Sequence, residues 1–441
     1  MDISILKEIG VWVTTFLFPP VHQTSMWIYN LLLIPVVFFS LFFYFISING
    51  MFPSRKRNIF MNNIIKWPSV TIQIPTFNEP VALRCAEHCL NFNYPSNKFE
   101  IIIGDDSTDP KVSRAIDNFS KKYKGKIKVT RRGTNEGFKA ANLNHMLKYS
   151  NGEIIVIFDS DFIPNKDFLE RIVEPFTENE KIGCVQARWG FANERQNKIS
   201  KFASGILLVY HRLIAPINNN LKVPLLFGSG QAIRKDLITS LGGWQEGSLT
   251  EDVELSLRIL NSGHEIVYLE NLKVPGELPF TIEGIRAQQK KWAYGNVNAF
   301  LDHYKSILFG HYSFKQKFML LMTLLGYISS LFLIVFILSG FIYFFTETPA
   351  PIDLYKFTVE TSKTLLVSSG FMFAALVALS KEKKINLATT VITSAFTVGL
   401  LVAISVCNGI FKAILGKKMT WSMIPKKGNL DYRTKNLKKA S

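Results

Sequence analysis

The sequence predicts an α/β domain with a mostly parallel sheet, inserted between transmembrane α-helices. Three observations carry this. Uncharged apolar runs long enough to cross a bilayer flank a charged middle segment. Between Trp67 and about residue 300, short β-rich runs alternate with helical stretches. Acidic motifs fall at the ends of those runs, where an open α/β sheet places its ligands.

The first run sets the N-terminal boundary. No Asp, Glu, Lys or Arg lies between Glu8 and Arg55, and residues 28–48 are apolar enough to span; about 20 apolar residues cross a hydrocarbon core. The early charge is mixed (Asp2, Lys7, Glu8), and Pro19 and Pro20 precede any small-residue cleavage pattern. A retained anchor is expected, so residues 1–67 form an N-terminal membrane segment with one transmembrane helix.

Residues 68–300 form the α/β domain. Residues 70–74, 99–103, 127–131, 154–158 and 182–186 read as strands, with helices at 81–91 and 111–123 among them. Near-continuous apolar strands interleaved with helices indicate a parallel sheet covered on both faces.

Residues 301–411 form a C-terminal membrane region. The uncharged run 318–345 is 28 residues long, 365–379 is shorter, and 385–411 is apolar with a few Thr, Ser and Asn. Two transmembrane helices plus an interface or re-entrant helix are expected, because residues 385–411 have Lys-rich sequence on both sides. Residues 412–441 form a basic tail with nine Lys/Arg against one acid, Asp431.

Charge placement gives the orientation. Arg55, Lys56, Arg57 and Lys66 follow the first run, whereas Glu347, Asp353 and Glu360 against Lys356 and Lys363 follow the second. The positive-inside pattern puts the middle domain and the tail in the cytoplasm of a multi-pass protein of the cell membrane. The net charge of +17 is thereby assigned to membrane flanks and anionic head groups. No base-stacking or groove-reading motif accompanies it, so nucleic acid is not an expected partner. The four Cys lack the His or second Cys pair of a zinc site and read as structural thiols.

Five segments carry chemistry. Asp105 and Asp106 follow the second strand, where a carboxylate accepts hydrogen bonds from a base or ribose; a simple turn is the alternative. Asp159 and Asp161 follow the fourth strand at alternate positions, suited to share a hard divalent cation that neutralises a diphosphate. Lys139 sits on a helix opened by Gly137, whose free N–H groups suit phosphate. Thr250, Glu251 and Asp252 precede an amphipathic helix, either as its cap or as a general base and its neighbours. Gln288, Lys291 and Trp292 lie in a helix over 282–300, where Trp offers a flat face to a sugar ring and Lys a charge to a leaving diphosphate; an interfacial Trp with snorkelling lysines is the alternative.

In their joint order, from about residue 70 to 427, these motifs resemble the inverting, processive branch of glycosyltransferase family 2, which includes cellulose, mannan and hyaluronan synthases. The resemblance includes the segments 74–79, 185–190 and 228–230. It implies a GT-A catalytic domain, a UDP- or GDP-sugar donor, Mg²⁺ or Mn²⁺, and transfer to a growing β-linked polysaccharide. Thr76, Glu79, Asp105 and Asp106 would surround the nucleoside, with Lys139 near the phosphates. Asp159 and Asp161 would hold phosphate and metal. Asp252 would be the base, with Glu251 beside the acceptor. Gln288, Lys291 and Trp292 would hold diphosphate and acceptor, and Trp421 to Lys426 resembles a gating loop.

Two departures stand out. Lys291 occupies a position the family usually gives to Arg, and a lysine lacks the planar fork that grips phosphate. The family usually has further membrane helices after this loop, whereas about fifteen residues follow Lys426; the expectation is that a homo-oligomer or an export partner supplies the channel, or that the product is short. The rival reading is single-sugar transfer to a polyprenyl phosphate or other lipid acceptor.

Overall fold

A computed structural model of the chain describes residues 8, 11–52, 67–347, 353–420 and 423–431. Seven strands form one sheet in the order β3-β2-β1-β4-β6-β5-β7. They are β1 (Val70–Thr76), β2 (Phe99–Asp105), β3 (Ile127–Thr130), β4 (Ile154–Ile157), β5 (Ile182–Phe191), β6 (Gln231–Arg234) and β7 (Glu265–Gly276). The five expected strands all form, and every residue of β1 and β4 is buried. All pairings are parallel except those of β6, which runs antiparallel to both β4 and β5. The chain order reverses between β1 and β4, and the functional cleft opens beyond their carboxyl ends.

The helices that position the site are α1 (Phe18–Met51), α2 (Ala82–Leu90), α3 (Pro110–Lys122), α4 (Phe138–Leu147), α5 (Phe168–Glu178), α6 (Lys198–Val209), α7 (Glu251–Asn261) and α8 (Ile282–Phe309). Side chains from α2, α3 and α5 fill one core against the sheet. Residues of α4, α7 and α8 fill the core on the other face. Helix starts follow local chemistry: Asp109 caps α3 by accepting the Lys111 N–H, with Pro110 at the first helical position.

The membrane-type helices differ from the expected runs. The first extends through α1, whose interior Pro35 does not end it. The expected run 318–345 is broken into α9 (Phe314–Leu325) and α10 (Ile328–Thr346). The reason is burial: Leu320 and Leu324 of α9 pack into the sheet-side core, so α10 alone remains as the apolar segment. The boundary expected at 300 also falls inside α8, which continues to Phe309. The third run becomes α11 (Leu354–Ser368) and α12 (Gly370–Lys381), joined at a bend of 59°. The fourth is bent by 62° between Ile385–Ala395 and α14 (Val398–Ile414), α13 (Ala388–Ala395) forming most of its first half.

Both ends of that last segment lie against the sheet domain. Lys384 pairs with Glu194 at 2.7 Å. Its neighbour Glu382 is buried among Arg188, Arg212 and Lys273, at 2.8, 3.3 and 3.7 Å. At the other end, Lys426 pairs with Asp161. Along its length α14 packs on α8, where the Arg286 Nε–H donates to Ser405 Oγ at 2.9 Å.

Candidate active site

One cleft collects Thr76, Glu79, Asp106, Lys139, Asp159, Asp161, Glu251, Asp252, Gln288, Lys291, Trp292 and Lys426. Residues from 76 to 426 thus meet at the carboxyl ends of the strands. Asp105 lies beside the cleft at the end of β2, and Trp421 lies outside the described residues.

The β1 and β2 ends are tied together by their loops. Asn78, at φ +56°, takes the Thr108 and Asp109 N–H groups on its side-chain oxygen at 3.0 and 2.8 Å. Thr76 Oγ1–H donates to the Glu79 carbonyl, and Ser160 Oγ–H donates to the Glu79 carboxylate. Burial pushes Glu79 up to about 7, against the pull of Lys426. Asp105 accepts from Arg131 Nε at 2.8 Å, and both Asp106 oxygens accept from Arg132. Burial raises Asp106 although Arg132 opposes it. The two arginines were not anticipated. The signal was present, since they follow β3, the immediate neighbour of β2.

β4 ends at Ile157, before the two carboxylates, and the Phe162 N–H closes a turn onto the Asp159 carbonyl at 3.1 Å. Asp159 and Asp161 therefore sit in a turn, not on alternate positions of a strand, and they meet different lysines. Asp159 pairs with Lys139 at 2.7 Å, and Asp161 with Lys426 at 2.8 Å. The second Asp161 oxygen accepts the Glu277 N–H at 2.8 Å. Glu277 follows β7, a strand the sequence pattern did not reveal. Two hard carboxylate donors facing one cleft fit a divalent cation that takes its other ligands from phosphate and water. Among the described residues, no group of three His, Cys, Asp or Glu side chains converges to hold one unaided.

Lys139 is the hub. Its ammonium reaches the Gly228 carbonyl at 2.6 Å, Asp159 at 2.7 Å and Glu251 at 3.1 Å. Burial works against its charge, but Asp159, Glu251 and Asp252 overcome that and raise its pKa. Gly228 has φ +81°, and a Cβ there would stand 3.1 Å from Lys139 Nζ and 3.2 Å from Asp252 Oδ2. Only glycine lets this backbone come so close in that conformation.

Glu251 and Asp252 open α7, but the cap reading does not hold for Thr250, whose side chain makes no capping bond. Asp252 is pushed up to about 7, by burial first and then by Glu251, with Lys139 opposing. A carboxyl poised there takes a proton at neutral pH. The α8 helix approaches α7 closely, since a Cβ on Gly295 would stand 2.3 Å from Thr250 Oγ1. That approach sets Lys291 and Trp292 against the acidic pair. Lys291 makes no ion pair among the described residues, and burial lowers its pKa while Glu251 pulls it back. Trp292 stands 6.3 Å from Trp189, ring to ring, at 52°. Trp189, on β5, donates its indole N–H to the Ser229 carbonyl at 2.9 Å.

Residues 71–242 match the sequence profile described as Glycosyl transferase family 2. This is a glycosyl transferase family 2 domain. Relatives include the probable glucomannan 4-beta-mannosyltransferase 11 of Oryza sativa subsp. japonica, 33% identical over 242 residues, covering 53% of this chain and 42% of the relative. Glucomannan 4-beta-mannosyltransferase 1 of Cyamopsis tetragonoloba is 30% identical over 251 residues, covering 55% and 48%. The chain spans less than half the length of these relatives. Among solved structures, the fold is similar to mannosyltransferase PcManGT of Pyrobaculum calidifontis, in complex with GDP-Man and Mn²⁺. The TM-score is 0.62 at 17% identity, covering 85% of this chain and 99% of the other. The family 2 domain here thus has the GT-A fold.

Proposed function

We propose that the protein is a membrane-bound inverting glycosyltransferase that moves a sugar from a nucleoside diphosphate sugar to a growing β-linked polysaccharide. The observation that carries this reading is Asp252, half-buried beside Glu251 and Lys139 at the meeting point of the acidic turn and the Lys291–Trp292 helix. It is positioned as the general base for an acceptor hydroxyl. The hydroxyl oxygen attacks the anomeric carbon as its proton passes to Asp252, and the bond to the diphosphate breaks. One displacement inverts the configuration from an α-linked donor to a β-linked product.

Lys139 and Lys291 are placed to balance the charge of the departing diphosphate. Asp159 and Asp161 are the residues that would hold Mg²⁺ or Mn²⁺, which supplies further charge neutralisation at the phosphates. Thr76, Glu79, Asp105 and Asp106 form the nucleoside end, while Trp292 and Glu251 seat the acceptor. The likeness to glucomannan 4-beta-mannosyltransferases favours mannose as the sugar.

The catalytic domain is assigned to the cytoplasmic side of a multi-pass chain, with α1, α10 and the bent α11–α12 pair crossing and residues 385–411 lying at the interface or re-entering. The Lys384–Glu194 and Lys426–Asp161 contacts support this, because they hold both ends of that segment on the side of the sheet. The basic flanks support the same orientation.

The test uses the full chain in lipid nanodiscs with Mg²⁺ or Mn²⁺. Radiolabelled GDP-mannose, UDP-glucose and UDP-N-acetylglucosamine are offered separately and the products sized. A polymer built from GDP-mannose is expected. A single sugar on a lipid would overturn the polysaccharide reading and establish lipid transfer instead.

A further inference from the structure

The acid at the end of α12 is out of place by local rules. A carboxylate at a helix C-terminus faces the negative end of the dipole, yet Glu382 sits at that cap with only 9% of its side chain exposed. Its partners lie in the sheet domain. Arg188 on β5 donates to it at 2.8 Å, Arg212 stands at 3.3 Å and Lys273 on β7 at 3.7 Å. Glu382 touches all three cations, and it is the partner supplied by the C-terminal membrane region.

The cluster sits at an irregularity in the sheet. Ala187 pairs with Leu269 and Arg188 with Lys273, so residues 270–272 of β7 bulge out of register. Arg188 bridges this bulge, its Nε–H donating to the Glu270 carbonyl at 2.7 Å while its other end holds Glu382. A bulge re-aims the side chains beside it, and the next residue along β5 is Trp189. Successive strand residues face opposite ways. Trp189 accordingly lines the cleft, whereas Arg188 does not. The Trp189 ring meets Trp292 at a tilt of 52°, and the two make an apolar corner in the cleft.

We propose that Glu382 is a positioning residue for the acceptor: through Arg188 it fixes the bulged end of β5, so that Trp189 stands opposite Trp292 and the two rings receive the apolar face of the acceptor's last sugar. The inference deepens the acceptor end of the reading above and rests on it. Without the carboxylate, Arg188, Arg212 and Lys273 repel one another where little water reaches them, and the bulge loses the tie that sets its shape. The effect falls on Trp189 more than on the donor end, whose Lys139 opens from α4 and whose Asp159 and Asp161 follow β4. The acceptor corner is thus complete only while α12 is docked on the sheet domain.

The experiment uses the full chain in nanodiscs, with GDP-mannose as donor and β-linked mannotetraose as the acceptor probe. KM is measured for each, and tetraose binding is titrated separately with GDP and Mn²⁺ present. Glu382→Gln should raise the tetraose KM and Kd by about tenfold, with the donor KM within about twofold of wild type. Trp189→Leu should raise them by a similar factor. Adding Glu382→Gln to Trp189→Leu should then change them no further, because the two act at one place. Should Glu382→Gln not fold, Arg188→Met with Glu382→Met replaces the buried pair without leaving a lone charge, and the same pattern is expected of it. A donor KM that rises as much as the tetraose KM marks a general loss of structure and overturns the inference. So does an unchanged tetraose KM, or a further loss of similar size on top of Trp189→Leu. A wild type that neither binds nor extends the tetraose overturns the acceptor reading, and this inference with it. A wild type that extends the tetraose, with no effect of Glu382, overturns this inference alone.

Discussion

Replacing Asp252 by Asn should abolish transfer and at the same time stabilise the fold. The carboxyl rises from 3.8 to about 7 because its charged form is buried beside Glu251. Folding therefore favours the protonated form. The stability this group contributes is greatest below its unfolded pKa and is lost as pH rises toward 7, where the folded protein must carry the charge. From those two values the penalty is about 4 kcal/mol at pH 8 and about half that at pH 5. An uncharged amide of nearly the same shape avoids it. The Asn variant should unfold at a higher temperature than wild type at pH 8, with the gap narrowing by pH 5. Buried Cys85, Cys89, Cys184 and Cys407 supply the assay, through a dye that fluoresces on reacting with thiols exposed by unfolding. In the wild type, transfer should fall about tenfold for each pH unit below 7, as the base becomes protonated. An Asn variant that transfers sugar, or that is no more stable than wild type at pH 8, would refute the reasoning.

Other substitutions test neighbouring parts of the argument. Lys291→Arg should lower the donor KM by about threefold or more, because a guanidinium fork grips phosphate better than an ammonium; steady-state kinetics at saturating acceptor would show it. Glu382→Ala should destabilise by about 3–5 kcal/mol, since it leaves Arg188 with a buried charge and no carboxylate, Arg212 retaining Glu270; the same thiol assay reads it. Gly228→Ala should lose most activity, with a fold cost of roughly 1–2 kcal/mol for the left-handed backbone, because its methyl would press on Lys139 and Asp252. Activity in that variant comparable to wild type would detach Gly228 from the site.

Much of the scaffold was legible in the chain. The apolar-rich runs of β1, β2 and β4 announce buried strands, and the acids after them lie where a parallel sheet opens. β6 was not legible, because four residues ending in Arg234 show no period of their own. Its antiparallel place is fixed by β4 and β5, which are distant in sequence. β7 was hidden by charged residues within its run, and with it went Glu277. Most of the residues that line the cleft were singled out by the sequence motifs, but their pairings were not legible. Lys139 is separated from Glu251 by more than a hundred residues, and only the fold brings them to 3.1 Å. The membrane runs misled where hydrophobicity alone cannot tell lipid from protein: Leu320 and Leu324 look like lipid-facing residues and are core.

That last pair has a practical bearing. Ile307, Tyr312, Leu320 and Leu324 complete the core beneath the sheet, and Arg286 on α8 is bonded to Ser405. A soluble fragment ending near 300 would leave an apolar wound across the sheet and cut the helix that bears Trp292 in two. Expression of the sheet domain alone should yield aggregate unless the cut falls after Leu325 and the groove vacated by α14 is refilled with polar side chains. The sheet domain is better studied together with α8, α9 and α14 than cut from them.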